Sequence, residues 1–164
     1  MKQLLSRFAE YNIWANRKIG DRVLSLPEGM INQPAPSSFP TVKATLLHIW
    51  TAESIWWQRL KLVERIVVPD ESGELNAEQV VNGLLAQSRQ WLEWVESASP
   101  AALEHVFHYQ NTKRQQFKQP VCDVLLHLFN HGTYHRGQIV TQLRQIGVTE
   151  IPQTDFIAWS RKSA

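Results

Sequence analysis

Four long stretches in which apolar residues recur at helical spacing dominate this sequence. They run from Leu4 to Leu24, from Thr41 to about Val63, from an N-cap at Asn76 to a stop near Ser99, and from Val121 to Ile146. An amphipathic helix has to bury its apolar face against another element. Four such helices therefore predict an all-α four-helix bundle.

The connections between these helices are unusually long. Five proline and glycine residues prevent a continuous helix between residues 27 and 40 and predict a loop there. From Phe107 to Pro120, aromatic and polar residues alternate around Asn111, Thr112 and Lys113, which predicts a small hairpin or extended excursion before helix four. Connections of this length, at 27–40 and 100–120, favour long crossover loops over simple up-and-down hairpins.

The end of the sequence predicts two further features. Gly147 follows the fourth helix as a C-terminal cap. Phe156, Ile157 and Trp159 are apolar enough to dock as a short helix against the bundle. These residues predict a structural role for the tail.

Composition predicts one ordinary globular domain covering residues 1–164. The chain is 43% hydrophobic and 20% charged, with a net charge of +2, and its basic residues are scattered among acidic ones. This pattern argues against nucleic-acid or membrane partners, and no stretch approaches the roughly 20 apolar residues of a membrane span. With Cys122 as its single cysteine and no apolar secretory leader, we expect a cytoplasmic protein.

The fourth helix contains the sequence LLHLFNHGTYHRGQ, in which His127, His131 and His135 follow one another at intervals of four residues. Each step of four turns an α-helix by about 40° and advances it by about 6 Å, so adjacent imidazoles can reach one metal ion. The outer two lie about 12 Å apart along the axis, so all three cannot bind the same ion. One adjacent pair needs a further ligand from another helix, and the spacing leaves open which pair.

His48 is the candidate for that further ligand. It lies in the middle of helix two, in the sequence LLHIW, where its apolar neighbours indicate an inward or boundary position. Three neutral imidazoles would leave coordination positions open for water or substrate, as in a catalytic site. A single histidine on an apolar face is more often a hydrogen-bonded core residue, so the hypothesis depends on the four histidines together. His105 and His108 are expected to be solvated.

Two familiar metal motifs are excluded. The residues between His131 and His135 lack the glutamate that serves as the base of an HExxH metalloprotease. The sequence also lacks the tandem Glu and ExxH pairs of di-iron bundles, which disfavours oxygen chemistry at two irons.

Several neighbouring residues allow two interpretations. Arg136 could recognise an anionic substrate group or make a structural ion pair. Glu53, five residues after His48, could hydrogen-bond to a metal ligand, but a solvated carboxylate on the helix face is the favoured interpretation. For Tyr134, likewise, a role beside a metal ligand is possible and a solvated side chain is favoured.

For another group of residues the structural interpretation is favoured over the functional one. Tyr11, Asn12 and Trp14 could line a pocket, but core packing and capping are favoured. Cys122 lies more than two turns before His131, which disfavours a redox or catalytic thiol.

Four features, YNIWAN at 11–16, the central His48, NHGTYHRGQ at 130–138 and TDFIAW at 154–159, together resemble the DinB family of the DinB/YfiT-like metalloenzymes. The resemblance spans almost the whole chain. It implies a four-helix bundle with an unusual connection order, often homodimeric. It also implies that His48, His131 and His135 are the metal ligands, with His127 left out.

The resemblance further implies one divalent metal ion per chain, nickel or zinc before iron or manganese, and a small-molecule substrate. Some members of the family transfer a low-molecular-weight thiol to an electrophile, chemistry that a Lewis-acidic ion assists by stabilising a thiolate. We therefore expect a metal-dependent enzyme of thiol-transferase or hydrolase type. The alternative is a non-catalytic metal-binding or dimerising interaction module of the stress response. The metal, the reaction and the roles of His127, Arg136 and Cys122 are left open.

Overall fold

The computed structural model describes residues 1–111 and 113–161; Thr112 of the predicted hairpin and residues 162–164 of the predicted domain lie outside the described residues. Four long helices confirm the predicted all-α bundle. In chain order the elements are α1 (Lys2–Leu24), α2 (Glu28–Ile31), α3 (Val42–Leu60), α4 (Ala77–Ser97), α5 (Pro100–Glu104), β1 (Val106–Gln110), β2 (Gln116–Pro120), α6 (Val121–Gln145) and α7 (Phe156–Ser160).

The order of the long helices around the bundle explains the long connections. Helix α1 packs against α4 and α6, and each of these packs against α3, so α1 and α3 occupy diagonal corners. Helices α4 and α6 occupy the other two corners. The segments 25–41 and 98–120 therefore cross the ends of the bundle, as the predicted crossover loops require. None of the described helices is both long enough and apolar enough to cross a membrane.

The crossing segments contain short elements that the sequence pattern did not predict. Residues 27–40 include the one-turn helix α2, which begins after Pro27 and buries Ile31. Helix α5 begins with Pro100 in its first turn, and the Ser99 side chain accepts a hydrogen bond from the Ala102 N–H. Proline is well tolerated in the first turn of a helix because its missing N–H has no partner to lose there.

The other boundaries agree closely with the sequence. Asn76 and Gln79 form a reciprocal capping box at the start of α4, and Gly147 follows α6 with a φ of 89°. Helix α3 ends at Leu60 rather than near Val63, because Leu62 adopts a φ of 53° that no α-helix accommodates. The predicted hairpin is present as the antiparallel pair β1 and β2. The predicted tail helix is present as α7, which buries Trp159.

The core consists of two apolar clusters separated by a polar layer. One cluster gathers residues such as Ile19, Leu46, Leu84 and Ile139, and the other gathers residues such as Leu5, Trp91 and Leu125. Between them, each long helix contributes at least one buried polar side chain to the centre of the bundle. We call this group the polar layer; its members are Asn12, Asn16, Glu53, Ser88 and Arg136.

Two helical glycines provide a matched test of packing. A Cβ on Gly83 would clash with the Trp50 indole, whereas a Cβ on Gly137 meets no atom within 4 Å. We expect Gly83→Ala to lower the free energy of unfolding by about 1–3 kcal/mol, because the clash outweighs the gain in helix propensity. Gly137→Ala should raise it by about 1 kcal/mol. Urea unfolding of the metal-free proteins measures both, and equal stabilisation by the two substitutions contradicts the close contact with Trp50.

Candidate metal centre

Helices α3 and α6 bring His48, His131 and His135 together. One ring nitrogen from each imidazole lies within 4.8 Å of the others, and the Nε2 atoms of His48 and His131 are 3.1 Å apart. Nitrogen ligands at 2.0–2.1 Å from a tetrahedral ion lie about 3.3 Å from one another. The three imidazoles can therefore hold one ion after small rotations, and His127 is not part of the group.

Burial keeps these imidazoles in the form that binds a metal. It lowers the pKa of His48 to about 4, with a further contribution from the charge of His135. It also lowers the pKa of His131 to about 4, with smaller contributions from His135, His48 and His127. The pKa of His135 is lowered by burial as well. Because a metal ion and a proton compete for the same lone pair, a neutral ring is ready to bind.

Gln138 sets the orientation of the His135 ring. Its Oε1 atom lies 2.8 Å from His135 Nδ1, and its Nε2 atom donates to the Ser38 hydroxyl over 2.7 Å. Since a carbonyl oxygen only accepts, Nδ1 carries the hydrogen and the Nε2 lone pair is left for a metal. Metal-binding histidines usually have such a partner on the second nitrogen. Gln138 lies one helical turn after His135, which is the signal by which it could have been found in the sequence.

The first crossover segment closes one side of the site. The Phe39 ring stacks on His48 with centroids 4.2 Å apart and lies 5.7 Å from His135. Gln142 holds this segment by donating to the carbonyl oxygens of Ala35 and Phe39 while accepting from the Thr45 hydroxyl. Phe39 and Gln142 were missed in the sequence because their roles depend on where a loop lies.

The opposite side of the site leads towards the hairpin. The His127 ring lies 5.7 Å from His131 and contacts Trp56 edge to face. Beyond it is a cavity of about 220 Å³ whose walls include His127, Trp56, Tyr109, Gln119 and Asp123. His127 therefore stands between the three-histidine group and a cavity with aromatic and polar walls.

Glu53 is buried, so the prediction of a solvated carboxylate at this position is wrong. Its side chain is 2% exposed. The Asn12 amide and the Ser88 hydroxyl donate to its two oxygens over 2.9 and 2.8 Å and so satisfy the buried carboxyl group. Burial raises the pKa of Glu53 to about 7, against the lowering effects of these hydrogen bonds and of Arg136. Glu53 thus belongs to the polar layer.

Arg136 is also buried, and its direct hydrogen bonds are to neutral oxygens. Its guanidinium donates to the side-chain oxygens of Asn12, Asn16 and Thr133, and it lies 5.5 Å from the Tyr11 ring centroid. Within the described residues no carboxylate is in direct ion-pair contact with it. Its interaction with the Glu53 carboxyl is electrostatic, without a direct ion-pair contact.

Of the remaining candidates, Tyr134 contacts the His135 ring edge to face with centroids 4.9 Å apart. Tyr11 and Asn12 are buried, as the packing interpretation expects. Tyr134 is 60% exposed, and His105 and His108 are exposed on the surface. Cys122 is half-buried at the start of α6.

The family model for the DinB family matches residues 1–162. The chain belongs to the DinB family. This DinB chain is 30% identical to Protein DinB of Bacillus subtilis (strain 168) over 165 residues, which cover 95% of this chain and 93% of that protein. Its fold is similar to the crystal structure of a DinB-like protein from Bacillus cereus ATCC 10987, with a TM-score of 0.67 and 19% identity over 89% of this chain and 94% of that one. The resemblance inferred from the sequence is confirmed.

The raised pKa of Glu53 predicts a specific pH dependence for this DinB protein. The folded state binds a proton at Glu53 up to about pH 7, whereas the unfolded state releases it near pH 4.5. The contribution of Glu53 to stability is therefore complete below pH 4.5 and is lost as the pH rises through 7. We expect Glu53→Gln, relative to wild type, to gain on the order of 1–3 kcal/mol in free energy of unfolding between pH 5 and pH 8.

Urea unfolding of metal-free wild type and variant at each pH measures this difference. The buried histidines, whose lowered pKa values make the protein more stable as the pH rises, are present in both proteins, so their effect cancels in the comparison. Glu104→Gln, at an exposed position, is the control. A Glu53→Gln difference that stays constant with pH would contradict the raised pKa.

Proposed function

We propose that this protein binds one divalent metal ion through His48, His131 and His135 and is a metal-dependent enzyme acting on a small molecule. The observation that carries the proposal is the convergence of three neutral imidazoles from two helices. Three protein ligands match a catalytic site, in which a position stays open, better than a closed structural site. Imidazole suits several divalent metals, of which we propose nickel or zinc.

The ion would supply Lewis acidity, which favours the thiolate over the thiol and activates water at neutral pH. The chain itself supplies binding and orientation. Gln138 keeps the His135 Nε2 lone pair directed at the site, and Phe39 covers the face of His48. The walls of the adjoining cavity offer aromatic rings from Trp56 and Tyr109 to a small substrate.

These features support thiol-transferase-like or hydrolase-like chemistry. Both reactions need a nucleophile held at the ion and an electrophile held beside it. The cavity of about 220 Å³ beyond His127 provides a place for the second partner. Its Gln119 and Asp123 side chains supply polar groups for hydrogen bonds with a substrate.

Metal content is the first test. Protein prepared without a metal-affinity column should contain about one ion per chain by plasma mass spectrometry, or take up one nickel or zinc ion in a calorimetric titration. His131→Ala and His135→Ala should lose the ion. Gln138→Leu should weaken affinity by about 10–100-fold, because His135 loses its orienting partner.

His127→Ala is the matched control, since it removes an imidazole from the same helix face one turn away. It should retain the ion. Wild-type protein that takes up no ion after supplementation contradicts the site. Equal loss in His127→Ala and His131→Ala contradicts the choice of ligands.

Activity is a separate test. Metal-loaded protein should accelerate either the loss of free thiol in the presence of electrophiles or the hydrolysis of small esters, and His131→Ala should abolish the acceleration. Metal-loaded wild type that is inactive against both panels contradicts the enzymatic part of the proposal. It would favour the non-catalytic interaction module and leave metal binding standing.

A further inference from the structure

A second, larger cavity lies between α1, α6 and the α7 region, away from the candidate metal centre. Its volume is about 580 Å³, within the range of small-molecule binding sites. Its walls include Phe8, Tyr11, Phe129, Thr133, Arg136 and Phe156. The proposed function uses none of this space.

The cavity and the metal centre lie on opposite faces of α6. At about 100° per residue, Phe129, Thr133 and Arg136 project about 140–160° away from His131. A ligand in this cavity is therefore separated from the three imidazoles by the helix itself. The two sites can be tested independently.

Four aromatic rings, from Phe8, Tyr11, Phe129 and Phe156, contribute to the cavity wall. The Phe8 ring stacks with Phe129 at a centroid distance of 6.4 Å and with Phe156 at 5.1 Å. Tyr11 is 5.1 Å from Phe156 and donates its hydroxyl hydrogen to the Thr154 carbonyl. The Tyr11 hydroxyl is thus already engaged, and these surfaces fit a planar ring or a branched aliphatic body.

Arg136 gives this apolar cavity a positive charge. The side chain is 2% exposed, and its guanidinium donates to the neutral side-chain oxygens of Asn12, Asn16 and Thr133. It also interacts with the Tyr11 side chain. The carboxyl group of Glu53 is engaged by Asn12 and Ser88 instead. The Glu53 carboxyl interacts electrostatically with Arg136, but within the described residues no carboxylate makes direct ion-pair contact with the guanidinium. An anion placed against Arg136 therefore gains from a buried charge that has no counterion in contact with it.

We propose that this cavity binds a small carboxylic acid, with its carboxylate against Arg136 and an aromatic or branched aliphatic body among Phe8, Phe129 and Phe156. The exposed Asp155 also lines the cavity and repels a carboxylate placed beside it. The acid group therefore points towards Arg136 and the apolar body towards the opening. This proposal does not depend on metal binding.

The test uses calorimetric titration of the metal-free full chain with 3-phenylpropionate and with its neutral amide. The acid should bind saturably and at least about tenfold more tightly than the amide, because a charge-assisted hydrogen bond to Arg136 is lost in the amide. Binding of the acid should persist in His131→Ala, which separates this cavity from the metal centre. The proposal is overturned if the acid does not bind up to about 10 mM or if acid and amide bind with equal affinity. It is also overturned if His131→Ala no longer binds the acid.

Two substitutions locate the ligand. Gly137 lines the cavity and has open space at the position of a Cβ, so Gly137→Trp should fill the cavity and reduce affinity at least about tenfold. Gly29→Trp, at a helical glycine with the same open space, is the control and should bind like wild type. Arg136→Gln should remove the preference for the acid, and it is used only if its circular dichroism spectrum and melting are native. Unchanged binding in Gly137→Trp overturns the location even where Arg136→Gln does not fold.

Discussion

The buried hydrogen-bond network of the polar layer is the constraint on which the rest of the bundle depends. A guanidinium and a carboxyl group lie in the centre of an apolar core, and each needs partners from helices distant in sequence. Asn12 serves both, because its oxygen accepts from Arg136 while its amide donates to Glu53. Shifting any one long helix along its axis would leave a buried polar group without a partner, at a cost of about 1–3 kcal/mol or more for a charge. Because hydrogen bonds are directional and apolar contacts are not, the polar layer specifies the register of the helices more strictly than the apolar clusters do.

This register also positions the candidate metal centre. Arg136 directly follows His135, and Glu53 lies five residues after His48 on the facing helix. Fixing α3 and α6 against α1 therefore fixes the distance between imidazoles that come from these two adjacent helices. The crossover segment completes the arrangement, since Gln138 and Gln142 tie it to α6 beside the same rings. Orientation of the ligands thus depends on contacts well outside the three-histidine group.

The fold could be predicted from the sequence because helical periodicity, caps and breakers are local signals. Asn76, Gly147 and the alternation before α6 mark boundaries that the structure places within a residue or two. The three-histidine group was predicted because His48 lies on an apolar helix face and the family resemblance selected His131 and His135 from the three histidines of α6. Glu53 was misread, since a lone carboxylate on an amphipathic helix looks solvated until its partners on α1 and α4 are known. Arg136 could not be interpreted for the same reason, because its acceptors Asn12 and Asn16 lie more than 100 residues away in the chain.

The diagonal placement of α1 and α3 has a consequence for the order in which the protein can assemble during synthesis. The first two long helices to leave the ribosome sit at opposite corners and cannot shelter one another as an adjacent hairpin would. Helix α4 is the first helix that packs against both, so the apolar faces of α1 and α3 remain unburied until α4 has been synthesised. His131 and His135 arrive with α6, the last long helix, after about three quarters of the chain has been made. A nascent chain therefore offers His48 alone, and the three-imidazole group forms only when the bundle closes.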